Sequence, residues 1–220
     1  GILGAVLYAF LPYHFFRNMG HLYLSEYFMV PFMVYYVLLF MKEEVVWKKE
    51  NGRWLTWKNV EHVLIFACMG LTGVYYAYFA CFFLCVSIGY KLLNRISWKK
   101  CKQELIGIGI IVVSLMIAVS PSLIYWLQNG RNSEAVERSV AGAEIYSMKL
   151  IQLVLPISGH RISKLADLRS AYDSFLLSNE NTTVSLGVIM SIGFLILLFS
   201  LFIVKEQKES FADIRKLSIL

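Results

Sequence analysis

Charge is scarce in this sequence. Asp, Glu, Lys and Arg supply 16% of its 220 residues, against about 25% in a typical soluble domain. Apolar residues fill the gap at 58%, and the mean hydropathy is +0.60. A soluble enzyme domain, a disordered chain and a coiled coil are all excluded. Motifs that mark chemistry are also missing: there is no CxxC, no phosphate-loop glycine pattern, no nucleophile elbow and no HExxH. Of the four cysteines, Cys68, Cys81 and Cys85 fall in apolar stretches and Cys101 in a basic one. The long polar stretch at 128–183 has none, so no disulfide framework is indicated. The net charge of +6 does not make a nucleic-acid binder, because the basic residues flank apolar segments and form no patch of their own.

What is present is a set of long apolar runs with the charges between them. This predicts an all-α, polytopic transmembrane helical bundle in a multi-pass membrane protein whose partner is the lipid bilayer. The chain opens inside an apolar stretch and closes on a basic flank, Arg215-Lys216. It therefore reads as a single transmembrane domain over 1–220, a fragment truncated at both ends. The second run, Leu22 to Met41, contains Pro31. Such a proline is tolerated in a span when neighbours satisfy the carbonyl it frees. A basic loop follows, with Lys42, Lys48, Lys49, Arg53 and Lys58 among Trp47, Trp54 and Trp57. Cation excess marks the cytoplasmic side and Trp the interface.

The third run, Val60 to Tyr90, is too long for one ordinary span. A second basic loop follows it: Lys91, Arg95, Lys99, Lys100 and Lys102. With both loops inside, the run must go out and return, which predicts two helices at roughly 57–72 and 76–94. One long tilted helix is the alternative, and it would leave a five-cation loop outside. The fourth run, Leu105 to Leu127, carries Pro121. The stretch 128–183 balances six basic against six acidic residues and is placed outside as an extracytoplasmic loop. The last run, Val184 to Val204, has Gly187 and Gly193, which suit close helix contact.

Two polar clusters interrupt this pattern. His14, Arg17 and His21 stand at i, i+3 and i+7, on one face of an amphipathic surface helix. A guanidinium flanked by imidazoles suits a phosphate; pairing with lipid head groups is the plainer role. Two histidines alone are too few for a metal site. The segment 142–156 reads as an amphipathic helix stopping at Pro156. After it, Ile157 to Ile162 forms a tight polar turn that carries His160 and Arg161. Those two residues either meet a lipid head group or only shape the turn.

The texts LPYHFFRNMGHLYLSEYFMVP (11–31) and AEIYSMKLIQLVLPISGHRI (143–162), with short paired spans and one long outer loop, resemble bacterial membrane proteins of the GT-C glycosyltransferase architecture. The resemblance covers most of the chain and implies transfer of a sugar from a polyprenyl-phosphate donor at the outer leaflet of the plasma membrane. It implies phosphate or sugar contacts for His14, Arg17, His21, His160 and Arg161. The cofactor is left open, with a divalent cation such as Mg²⁺ as the candidate. The catalytic base of such enzymes usually lies in a first outer loop, before the region covered here, and is carried onto no residue of this chain. Glu26 and Glu144 are the nearest acidic candidates and match no recognised catalytic motif. A lipid-linked-sugar flippase or a non-catalytic scaffold are the rival classes. The near absence of charge within the runs counts against ion-coupled transport.

The loop charges set a topology that accessibility can test. In intact cells, a thiol reagent is expected to label Ala135→Cys and to spare Asn51→Cys; external labelling at 51 would overturn the orientation.

Overall fold

The computed structural model describes residues 1–11, 26–130, 132, 140–175, 184–202 and 216–220, the side chains of Ala143 and Glu144 excepted. The described residues are helical and contain no strand. The helices are α1 (Ile2–Ala9), α2 (Val30–Met41), α3 (Trp57–Leu71), α4 (Val74–Leu93), α5 (Lys102–Asn129), α6 (Val140–Tyr146), α7 (Leu150–Val154), α8 (Ser163–Ser174) and α9 (Gly187–Ser200). Two compact units result. One holds 1–25 and 132–199, the other 26–131 and 200–220.

Among the described residues, two helical stretches are long and apolar enough to cross a membrane. They are α4 and the stretch Trp98–Asn129, which runs from a short 3₁₀ turn into α5. At 1.5 Å per residue, the 20 residues of α4 extend about 30 Å, a bilayer's hydrocarbon thickness. Only 11% of the most apolar window in the second stretch is buried. Val113, Ile117 and Ile124 stand exposed along it, whereas the core helix of a soluble protein would cover them.

The run 60–90 is indeed two helices, and the turn chemistry shows why. Gly73 has φ +111°, a conformation only glycine takes without strain. The Thr72 hydroxyl donates to the Met69 carbonyl at 3.0 Å and closes the last turn of α3. The two prolines behave differently. Pro31 lies in the first turn of α2, where its missing N–H breaks nothing, so it opens the helix instead of interrupting it. Pro121 lies inside α5 and leaves the Ile117 carbonyl without its helical donor. The Ser120 hydroxyl donates to that carbonyl at 2.8 Å, and the helix continues.

The larger unit packs α5 against α3 and α4, and α2 against α4. Glycines allow the closest approach. A β-carbon on Gly70 of α3 would fall 2.5 Å from the Ile111 carbonyl of α5, and one on Gly107 of α5 would fall 2.7 Å from the Phe66 ring of α3. At Gly187 and Gly193 no described atom lies within 4 Å of a built β-carbon, and Gly187, at φ +73°, starts α9.

The buried stripe of α4 runs Ala77, Ala80, Leu84, Ser87 and Lys91, at helical spacing. That of α5 runs Glu104, Gly107 and Ile111. Where the stripes meet, the Lys91 ammonium lies 2.7 Å from Glu104 Oε1, with both side chains buried. The Ser87 hydroxyl donates to the same oxygen at 2.9 Å. Lys91 also donates to the Lys100 carbonyl and lies over the Phe40 ring. It ends α4 and Glu104 begins α5, so each charge faces the favourable end of its helix dipole. Lys91 is thus an internal ion-pair partner and not a loop cation. Lys100 is also engaged, donating to Glu43 and holding that carboxyl below its usual range.

Removing one partner of such a pair leaves the other charge buried and alone. Glu104→Leu or Lys91→Met is expected to destabilise by about 3–5 kcal/mol. The double variant should recover most of the loss, because it buries no charge. Thermal unfolding of the four proteins in one detergent measures the cycle; independent, additive effects would refute the coupling.

Candidate functional site

The smaller unit carries a cavity of about 510 Å³. Its formation begins at α7. There the Lys149 N–H donates to Gln152 Oε1 at 2.8 Å and the Gln152 N–H returns to the Lys149 carbonyl. Pro156 then forces the residue before it out of helical geometry, and Leu155 is extended, with ψ 146°. A turn follows, closed by the His160 N–H on the Ile157 carbonyl at 3.1 Å. The Ile162 N–H donates to His160 Nδ1, and α8 starts at Ser163.

Arg169 of α8 holds these pieces together. Its side chain is fully buried. Nε donates to both oxygens of Asp173, at 3.1 and 2.9 Å. Nη1 donates to the Pro156 carbonyl at 3.3 Å and to the Val184 carbonyl at 2.8 Å. One planar fork thereby joins α8, the segment just after α7 and the segment that leads into α9. Ser185 and Ser191 complete the seam by donating to the Leu155 and Leu153 carbonyls. The cavity lies along this seam, between Pro156, Ile157 and Leu165 on one side and Val188, Ile192 and Leu195 on the other. His160 is the one titratable residue on its wall among the described residues. Because Nδ1 accepts a hydrogen bond, the neutral ring carries its proton on Nε2, a donor with no partner among the described residues.

The sequence-predicted residues fare unequally. His14, Arg17 and His21 lie outside the described residues, as does the side chain of Glu144. Glu26 starts the 3₁₀ turn Tyr27–Met29 in the larger unit. His160 reaches the cavity wall; Arg161, beside it, is exposed and does not line the cavity. The amphipathic helix expected over 142–156 is corrected to two short helices, α6 and α7, parted at Ser147–Lys149. The turn expected at 157–162 is present. Arg169 was missed, although its i,i+4 spacing to Asp173 was readable as a helix-face pair. No group of three His, Cys, Asp or Glu able to hold a metal occurs among the described residues.

The described residues are helical, with two helices long and apolar enough to cross a membrane and an apolar cavity, and the family follows from comparison. Residues 1–219 match the family model described as Domain of unknown function (DUF6311), and the chain belongs to that family. No curated protein and no solved structure matches it.

The cavity's integrity rests on Arg169. Arg169→Met should lower stability by about 3 kcal/mol, since four acceptor contacts lose a charged donor. Asp173→Asn should cost about 1 kcal/mol, because the amide oxygen still accepts. Thermal unfolding and proteolysis between residues 156 and 162 measure both; an Arg169→Met protein as resistant as wild type would deny the clamp.

Proposed function

We propose that this chain belongs to a multi-pass, GT-C-like glycosyltransferase of a bacterial plasma membrane. It transfers a sugar from a polyprenyl-phosphate donor at the outer leaflet. The helices form a polytopic bundle, residues 128–183 lie on the extracytoplasmic side, and 14–21 form an amphipathic helix on that surface. The observation that carries the reading is the apolar cavity with one imidazole on its wall. A polyprenyl phosphate is a long apolar chain ending in a polar head. Apolar walls suit the chain, and a neutral N–H donor suits the head.

In the transfer, the bond between the anomeric carbon and the phosphate oxygen breaks, and negative charge grows on the departing phosphate. Donors placed where that charge develops lower the barrier. Arg17 and Arg161 hold the phosphate in this reading, and His14, His21 and His160 donate to phosphate or sugar. The base that takes the acceptor's proton is assigned to no residue of this chain.

Binding of a polyprenyl-phosphate sugar to the purified protein in nanodiscs tests the proposal. Arg17→Ala and Arg17→Lys should both weaken it by roughly 10- to 100-fold, since an ammonium lacks the planar fork. His160→Ala should weaken it by up to about tenfold. Ile192→Trp, which fills the cavity, should exclude the chain. Wild-type affinity in Arg17→Lys would reduce that residue to a membrane anchor, and wild-type affinity in Ile192→Trp would remove the cavity from the site.

A further inference from the structure

The loop between α2 and α3 is folded, yet it displays large apolar side chains to the outside. Its centre is a two-residue turn, Asn51-Gly52, with φ of +50° and +78°. Both values are positive, as a type I′ hairpin turn requires. Glu50 and Arg53 exchange backbone hydrogen bonds of 3.1 and 2.9 Å across it. Buried Asn59 of α3 fastens both arms: Nδ2 donates to the Lys48 carbonyl at 2.8 Å and to the Trp54 carbonyl at 2.7 Å, and Oδ1 accepts from the Lys48 N–H. Trp47 is buried against His62 and Phe66, and its indole N–H donates to the Gln103 carbonyl.

Beyond these fastenings the side chains turn outward. Trp54, Leu55 and Trp57 are 57%, 84% and 89% exposed. A loop that collapsed for its own stability would bury them. Within 47–58 stand four exposed cations, Lys48, Lys49, Arg53 and Lys58, against one exposed carboxylate, Glu50; the exposed carboxylates Glu44 and Glu61 flank the segment. The Lys49 ammonium lies 5.1 Å from the centre of the Trp54 ring.

We infer that residues 47–58 form a preorganised docking surface for anionic lipid head groups. Leu55 and Trp57 enter the head-group layer, and Lys48, Lys49, Arg53 and Lys58 pair with lipid phosphates. Indole rings favour the membrane–water boundary, and clustered Lys and Arg beside helix ends are drawn to anionic lipid. An acidic protein would match the charge but not an apolar tip placed at the start of α3. The inference rests on the membrane-spanning reading of this unit and is independent of the proposed transfer reaction.

The test places an environment-sensitive fluorescent amino acid in place of Leu55 and, in a second protein, in place of Ile117 on α5. Each chain is reconstituted into phosphatidylcholine vesicles, alone or with roughly one-third phosphatidylglycerol, at low salt. The probe at 55 should shift to the blue and be quenched by a head-group-level spin label, more strongly in the anionic vesicles. Combining Lys48→Gln, Lys49→Gln, Arg53→Gln and Lys58→Gln should abolish that difference. The probe at 117 should be quenched by a chain-level label equally in both lipids. A water-like probe at 55 beside a lipid-buried probe at 117 overturns the docking surface alone, and leaves a protein partner or a second copy as occupant. Equal responses in the two lipids, or an undiminished difference in the four-site variant, overturn the anionic preference. A water-exposed probe at 117 overturns the membrane reading and the inference with it.

Discussion

Lys91 and Glu104 carry opposite charges into a place with no exposure to solvent, and the order of the larger unit follows from how they are accommodated. Glu104 lies in the first turn of α5. Its neighbour Gln103 accepts from the backbone N–H groups of Val46 and Trp47 and donates to the Glu44 carbonyl. One helical turn therefore fixes α4 through an ion pair and the α2–α3 connection through an amide. Trp47, placed by that amide, packs on His62 and Phe66. Phe66 in turn fills the space that Gly107 leaves open. Oε2 of Glu104 has no hydrogen-bond partner among the described residues, so the carboxylate leans wholly on Oε1 for compensation. A buried pair arranged in this way adds little net stability over apolar replacements, but it punishes any alternative register in which one charge is left alone.

The smaller unit reaches the same end by a different route. Its described residues hold no long helix pair to bury, and α7 is only five residues long. Such an element does not persist on propensity. Groups from elsewhere in the unit hold it instead: Ser191 and the Leu186 N–H donate to its Leu153 carbonyl, and Ser185 and Arg169 to the Leu155 and Pro156 carbonyls just beyond its end. Arg is suited to this work where Lys is not, because its fork serves a carboxylate on one edge and two carbonyls on the other.

Much of the helix order was legible in the sequence, because it depends on chain-local chemistry. The break near 72–76 followed from run length and charge, and Gly73 supplies it. The 157–162 turn followed from Pro156 and the polar text after it. The failures lie where a residue's meaning depends on what faces it. Lys91 looks like the first cation of a loop; only the stripe from Ala77 through Ser87 reveals that it points into the interface. Pro31 and Pro121 look alike as letters, yet one opens a helix and the other interrupts one. Helix α8 was hidden inside a stretch read only for its polarity, since its apolar face is weak and its one buried residue is an arginine. Of the candidate site, His160 and its turn were legible. The cavity was not, because its far wall comes from α9, some thirty residues along the chain.

The internal hydrogen bonds also decide which groups remain for function. Ser185 and Ser191 sit on the cavity wall, but each hydroxyl proton is already given to a backbone carbonyl. Arg169 is spent on Asp173 and two carbonyls. A ligand there meets hydrocarbon, hydroxyl lone pairs and one imidazole. An Nε2–H without a partner among the described residues, beside such a wall, would offer a ligand a single hydrogen bond at one place, discriminating little among polar heads and much between molecules with and without an apolar body. If the proposed lipid donor binds here, selection of its head group would fall to residues outside the wall, and Arg161, exposed next to His160, is the cation nearest in sequence. Under that proposal the polar groups of the wall hold the scaffold together, and specificity would rest on side chains the scaffold has not used.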